Sequence, residues 1–255
     1  MKRILLFALA LCLVSANAFA SMNVSYINAT VILNKTTTAQ VVEAVLVNIS
    51  NSSISQYLQD RQAINLTLGD WGAVLHTKLL IQQVFNPNSS ISNFTLLPGP
   101  IIDRTSTGGY ATLTMVYKAY NIITIRNVGP RKFDYSFNSQ SLNFEHTASG
   151  ESLPQNTRFN IIIPKGTEIV SIYPSPDYPY PNFVGNYNNV TMFSWYASEP
   201  LSKFTFSYIV VQSLQDEVTS YFAGVYQSYT QQIYLLIIIL ASILAVYIYV
   251  KVFAG

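Results

Sequence analysis

Nine asparagines carry the most telling chemistry in this chain. The triplet Asn-x-Ser/Thr, never with Pro in the middle, occurs at Asn23, Asn28, Asn34, Asn48, Asn51, Asn65, Asn88, Asn93 and Asn189. The hydroxyl two residues on helps to present the Asn amide nitrogen for transfer of a lipid-linked glycan. Chance would supply roughly three or four such triplets at this composition. Eight of the nine fall between Asn23 and Asn93. The expectation is covalent N-glycans concentrated on the first half of the chain. Asn28 and Asn65 sit in apolar, strand-like runs, where an amide can face solvent or pair locally instead.

Other chemistry is poorly supplied. His76 and His146 are the only histidines, each in a strand-like run with no second ligand nearby, so no metal site is expected. The single cysteine, Cys12, lies near the N-terminus. There is no Gly-x-Ser-x-Gly elbow, phosphate-binding glycine loop or zincin helix. Two carboxylates can hydrolyse a glycoside, but the twelve acids are scattered and no spacing selects a pair. Trp71 and Trp195 read as core rings rather than sugar platforms. No cofactor and no enzymatic activity are expected.

One further segment has the composition of a contact. Tyr173 to Phe183 holds four prolines and four aromatic rings. Proline stiffens an extended backbone and lowers the entropy lost when rings engage a partner. Tyr173, Asp177, Tyr178, Tyr180 and Phe183 are the candidate contact residues, for a sugar or a partner loop. The plainer reading, which we prefer, is a stiff connection whose rings pack on the end of a β-sandwich.

The two ends set the location. Lys2 and Arg3 precede an apolar run from Ile4 to Val14, and Ala18-Phe19-Ala20 offers small residues for a signal peptidase. Residues 1–20 thus read as a secretory leader, too short to span a bilayer. Leu9-Ala10-Leu11-Cys12 hints at a lipoprotein box, but the large Leu before the Cys argues against it. Ile233 to Val250 is an uncharged apolar run of eighteen residues, about 27 Å long as a helix. Lys251 follows it and residues 251–255 form a short cytoplasmic tail, which gives a single pass with the N-terminus outside.

Charge then excludes a class. Three of the fourteen basic residues, Lys2, Arg3 and Lys251, lie outside residues 21–232, leaving eleven against twelve acids, a net charge of −1. Nucleic-acid binding has no electrostatic footprint here. Charged residues are far below the ordinary share, so uncharged polar groups and sugar must keep the surface wet. With Cys12 in the leader, the mature chain can form no disulfide. Exported, sugar-rich and cysteine-free, it fits an archaeal cell surface.

The elements that position these groups are strands. Phe204, Phe206 and Tyr208 alternate with Lys203, Thr205 and Ser207. Asn28–Leu33, Val41–Val47, Val74–Val84, Tyr110–Ile125, Lys132–Phe137, Arg158–Ile163, Glu168–Tyr173 and Val190–Trp195 are further candidates. Short strands with turn signals point to a mainly β, antiparallel β-sandwich ectodomain. Gly129-Pro130 marks the expected boundary between a glycosylated β domain, 21–128, and a barer sandwich domain, 129–212. Leu214, Val218, Tyr221 and Val225 then share one helical face, giving a juxtamembrane helix over 213–232. The bland reading is a spacer packed on the stalk domain; self-association is the alternative.

This order of parts resembles that of archaeal surface-layer anchor or stalk proteins. The resemblance covers the arrangement and rests on no diagnostic motif. It implies a structural, anchoring or adhesive role, with membrane lipid and a surface-protein neighbour or a second copy as partners. A receptor-like binding subunit, or an accessory subunit of a membrane complex such as a glycan-transfer machine, are the rival readings.

Overall fold

The computed structural model describes residues 21–63, 65–147, 150–179, 187, 189–196, 201 and 203–253. The leader, residues 1–20, is outside that set. Twelve strands are described: β1 (Met22–Leu33), β2 (Ala39–Ser50), β3 (Ile91–Pro98), β4 (Gly108–Ala119), β5 (Ile123–Gly129), β6 (Lys132–Phe137), β7 (Glu145–Thr147), β8 (Gly150–Ser152), β9 (Thr157–Ile162), β10 (Thr167–Tyr173), β11 (Met192–Tyr196) and β12 (Thr205–Val211). Three helices join them: α1 (Ile54–Gln62), α2 (Leu68–Val74) and α3 (Leu214–Phe253).

The fold is mainly β and has two principal sheets. One holds six strands in the order β11-β9-β1-β2-β4-β3, and the other four in the order β10-β12-β6-β5. The hairpin β7–β8 stands apart. The three long strands β1, β2 and β4 have twelve residues each, about 40 Å of extended chain. Strict alternation buries one face of them. Ile27, Ala29, Val31 and Leu33 on β1, and Val41, Val45, Val47 and Ile49 on β2, are at most 2% exposed.

That face is too long for one covering layer, and two layers share it. At one end the four-stranded sheet packs on Ala29, Val31, Leu33, Val41, Tyr117 and Ala119. Phe204, just before β12, meets Trp195 and Phe159 there, with ring centroids 5.1 and 5.8 Å apart. At the other end α1 and α2 cover Ile27, Val45, Val47, Leu113 and Met115 with Ile54, Tyr57 and Trp71. The helix α2 starts on a capping box: Thr67 accepts from the Asp70 backbone N–H, and Asp70 accepts from that of Thr67.

Several sequence expectations are corrected here. Most ladders are antiparallel, but β9 lies parallel to β1, with Ala29 opposite Phe159. The boundary at Gly129 falls in the tight turn of the β5–β6 hairpin, and the β1–β9 ladder puts strands from both proposed halves in one sheet. The run Tyr110–Ile125 is two strands, broken where Asn121 takes a left-handed φ of 55° and the chain crosses between sheets. Val74–Val84 is no strand. His76 has a φ of 49°, and the segment closes the C-terminal end of α2 through Leu75, His76 and Thr77. The helices α1 and α2 were not expected at all.

The helix α3 has 40 residues, about 60 Å. The expected juxtamembrane and apolar segments are thus one continuous element. Among the described side chains, no helix is long and apolar enough to cross a membrane. Eight of the eighteen positions of the expected span, 233 and 244–250, lie outside that set.

Candidate functional site: acceptor asparagines and an aromatic edge

The nine acceptor asparagines separate by position. Asn23, Asn34, Asn48, Asn51, Asn65, Asn88, Asn93 and Asn189 are exposed, and Asn28 is half-buried. Asn65 lies in the connection between α1 and α2, not in a strand. Asn93 occupies the bulge of β3 with a φ of 54°, and Asn189 a turn with a φ of 68°. Both are conformations that Asn tolerates better than most residues.

Asn28 is tied into the outer face of the six-stranded sheet. Its Oδ1 accepts from Asn160 Nδ2 at 2.7 Å, and Asn160 Nδ2 also reaches Thr30 Oγ1 at 3.1 Å. Thr30 is the hydroxyl residue of that same triplet. Ser194 Oγ donates to Asn160 Oδ1 at 2.7 Å, and Arg158 Nη2 donates to Ser194 Oγ at 3.0 Å. The row Arg158, Ser194, Asn160, Asn28 thus runs from β9 and β11 into β1. The Arg158 guanidinium also lies 5.2 Å from the centroid of the Tyr196 ring.

Asn48 has a different setting. It stands opposite Tyr110 in the β2–β4 register. Both line a polar cleft of about 340 Å³ with Ser21, Ser50, Asp103, Thr105 and Thr107. Gly108 lets β4 come close to β2 at this point, since a Cβ there would sit 2.1 Å from the Ile49 carbonyl oxygen. Tyr110 is 39% exposed, so an aromatic face stands beside the amide that would carry a sugar.

The described part of the proline-rich segment has a buried side and an exposed side. Pro174, Pro176 and Pro179 are buried, whereas Tyr173 and Tyr178 are 54% and 45% exposed. Trp195 Nε1 donates to the Pro174 carbonyl at 3.0 Å. Tyr178 exchanges backbone hydrogen bonds with Ser194, and Asp177 Oδ2 accepts from the Tyr196 N–H at 2.8 Å. The segment therefore lies along β11, the edge of the six-stranded sheet, and occupies hydrogen-bonding groups a bare edge would offer. Its described prolines, Pro174, Pro176 and Pro179, pack and its described rings face out, so the expectation that the rings pack inward is corrected for Tyr173 and Tyr178. Tyr180 and Phe183 lie outside the described residues.

One buried carboxyl was not singled out from the sequence. Glu43 of β2 is fully buried on the inner face, between the two cores. Its Oε1 accepts from the Gln83 N–H at 2.8 Å and from the Tyr117 hydroxyl, while its Oε2 has no partner among the described residues. Burial pushes its pKa up to about 7, against the pull of those hydrogen bonds. The same burial, and then the Glu43 charge, raise Tyr117. The signal was readable: a glutamate interrupts the inward alternation Val41, Val45, Val47.

Among the described residues, no three His, Cys, Asp or Glu side chains gather as metal ligands would. An apolar groove of about 280 Å³ opens beside the root of α3, lined by Ile125, Phe133, Tyr135 and Val210 with Lys35 and Gln212. On α3, Leu214 and Val218 are 63% and 46% exposed, so the β-body does not cover them as a packed spacer requires. The side chains of Tyr221 and Val225 lie outside the described set.

No protein-family model matches the chain, and no curated protein matches it. Among solved structures, it is similar to the folded domain of LppM from Mycobacterium tuberculosis, solved by NMR. The identity is 7% and the TM-score 0.25, over 78% of this chain and 97% of that one.

Proposed function

We propose that this chain is an exported, single-pass membrane glycoprotein with a structural, anchoring or adhesive role at the cell surface, of a kind suited to archaea. In this reading residues 1–20 direct export, α3 crosses the bilayer over Ile233–Val250, and residues 21–232 stand outside. The β-body carries N-glycans on its first half and presents Tyr173 and Tyr178 to a neighbour. No catalytic constellation is invoked.

One observation carries the reading. Seven consecutive residues of α3, Tyr234 to Leu240, are apolar or aromatic and each 49–64% exposed. They face every side of the helix, and a helix apolar all round is stable only in a core or in hydrocarbon. They lie within eighteen residues that hold no charge, about the length that crosses a bilayer core.

The test is fractionation with surface digestion. Alkaline extraction of native membranes should leave the chain in the pellet. Protease added to intact cells should remove nearly all of its mass. A chain released by alkali, or shielded from protease, refutes the topology.

A receptor-like binding subunit is the second reading, favoured by the apolar groove beside the root of α3 and by the exposed Tyr173 and Tyr178. An accessory role in a membrane complex is the third. Purification from native membranes in mild detergent separates them, since lattice proteins, a soluble ligand or a membrane enzyme would co-purify respectively.

A further inference from the structure

Above the apolar run, α3 carries Leu214, Val218, Phe222, Tyr226 and Tyr229 at steps of four, four, four and three residues. At about 100° per residue they fall within an arc of roughly 120°. Thr219, Ala223 and Thr230 lie outside that arc. Leu214, Val218, Tyr226 and Tyr229 are 46–63% exposed and Phe222 is 64% exposed. A stripe of this size on the water side of a helix marks an interaction surface. At the root of α3, Arg131 of the β-body and Glu217 approach to 3.5 Å.

We infer that this stripe pairs in parallel with the same stripe on a second copy of the chain. Three features select an identical partner. No charged residue occurs between Glu217 and Lys251, so identical helices meet without repulsion and nothing encodes a different partner by charge. The stripe continues in phase through Leu236 and Leu240 into the apolar run, so one seam serves both segments. The inference also rests on the membrane reading: copies anchored by the same helix are parallel and at the same depth, which brings like residues together.

The area suffices. A standard interface buries about 800 Å² per partner, and five large side chains that are about half open supply roughly half of that. The in-phase continuation through the apolar run adds the rest. The mean step from Leu214 to Tyr229 is about 3.75 residues, above the helix's own period, so the pair should supercoil right-handedly.

Cysteine cross-linking of the full chain in its native membrane tests this. Cys12 belongs to the leader, so an introduced thiol is the only one in the mature chain. Val218→Cys and Tyr229→Cys lie on the stripe and Ala223→Cys lies off it. Under mild oxidation both stripe variants should run at twice the monomer mass without reductant. Ala223→Cys should stay monomeric, because its Cα would lie beyond the about 7 Å that a disulfide spans. Monomeric stripe variants overturn the inference, as does equal cross-linking by Ala223→Cys. An adduct of any mass other than the dimer's also overturns it, by showing a different partner. Alkaline extraction of the same sample reports separately on the membrane reading, whatever the cross-links show.

Discussion

The Tyr117 hydroxyl meets the carboxyl of Glu43 diagonally across the β2–β4 ladder, at the place where the two cores of the six-stranded sheet abut. The strap from Leu80 to Val84 crosses above them: Leu80 belongs to the helix-covered core, Val84 to the sandwich, and the Gln83 N–H between them donates to Glu43. The Tyr117 oxygen is also 3.0 Å from the Val84 carbonyl. A protonated Glu43 can donate to Tyr117 and leave the hydroxyl proton for Val84. An ionised Glu43 takes that proton and leaves the carbonyl without it.

This arrangement makes stability depend on pH. Burial raises the folded pKa from 4.5 to about 7, so between these values the folded chain holds the proton more tightly than the unfolded chain. Stability is then greatest below the lower value and falls as pH rises, by roughly 3 kcal/mol once above the upper one. Glu43→Gln should remove that fall, since it stays neutral and can still donate to Tyr117. Denaturation of the full chain in detergent, followed by tryptophan fluorescence at several pH values, compares the two. Parallel pH curves for wild type and variant would refute the role of Glu43.

Glycan occupancy should skip Asn28. That amide is half-buried on a strand paired on both sides and is fixed through its Oδ1 by Asn160, so a transferase reaches it only while β1 is unpaired. Intact-glycopeptide mass spectrometry of native material should find glycans within residues 23–95 but an unmodified Asn28. Unmodified peptides throughout that stretch would refute the glycoprotein reading, whereas a fully occupied Asn28 would show that sugar is added before β1 pairs.

Asn48 and Tyr110 should be energetically coupled through sugar. Opposed residues in such a ladder have Cβ atoms about 4.5–5.5 Å apart, so the first sugar ring on Asn48 can lie on the Tyr110 face. A double-mutant cycle of Asn48→Gln and Tyr110→Ser, melted with glycans intact, should give a coupling of about 0.5–1 kcal/mol. Enzymatic deglycosylation should abolish it. A coupling that survives deglycosylation belongs to the side chains alone.

Period two was the legible part of this fold. Phe206 and Tyr208 of β12, and Phe204 just before it, are buried as their alternation requires, and Trp71 and Trp195 are core rings, one in each core. The order of strands was not legible. Which strand lies beside β1 depends on packing between residues about 130 positions apart, and nothing local to Ala29 or Phe159 records it. The helix α2 left a readable trace, Thr67-x-x-Asp70, but it starts inside an apolar stretch that also suits a strand. Gly129-Pro130 was correctly a break and wrongly a boundary, because a tight turn and a linker use the same residues. Among the acceptor asparagines the triplets were visible but their exposure was not: Asn28 differs from Asn48 through Asn160, far off in sequence.

The proline-rich segment allows its two faces to be separated by mutation. Trp195→Phe removes the donor to the Pro174 carbonyl, in a buried setting, and should cost about 1–3 kcal/mol of stability. Replacing both Tyr173 and Tyr178 by Ser removes only outward rings and should cost less than about 0.5 kcal/mol each. If the rings serve a neighbour, the double serine variant should reach the cell surface normally yet recover less of that neighbour after cross-linking on intact cells. A double variant that melts well below wild type would return the rings to a packing role. One that melts and cross-links as wild type would leave the segment as a cover for the β11 edge, with adhesion carried elsewhere on the surface.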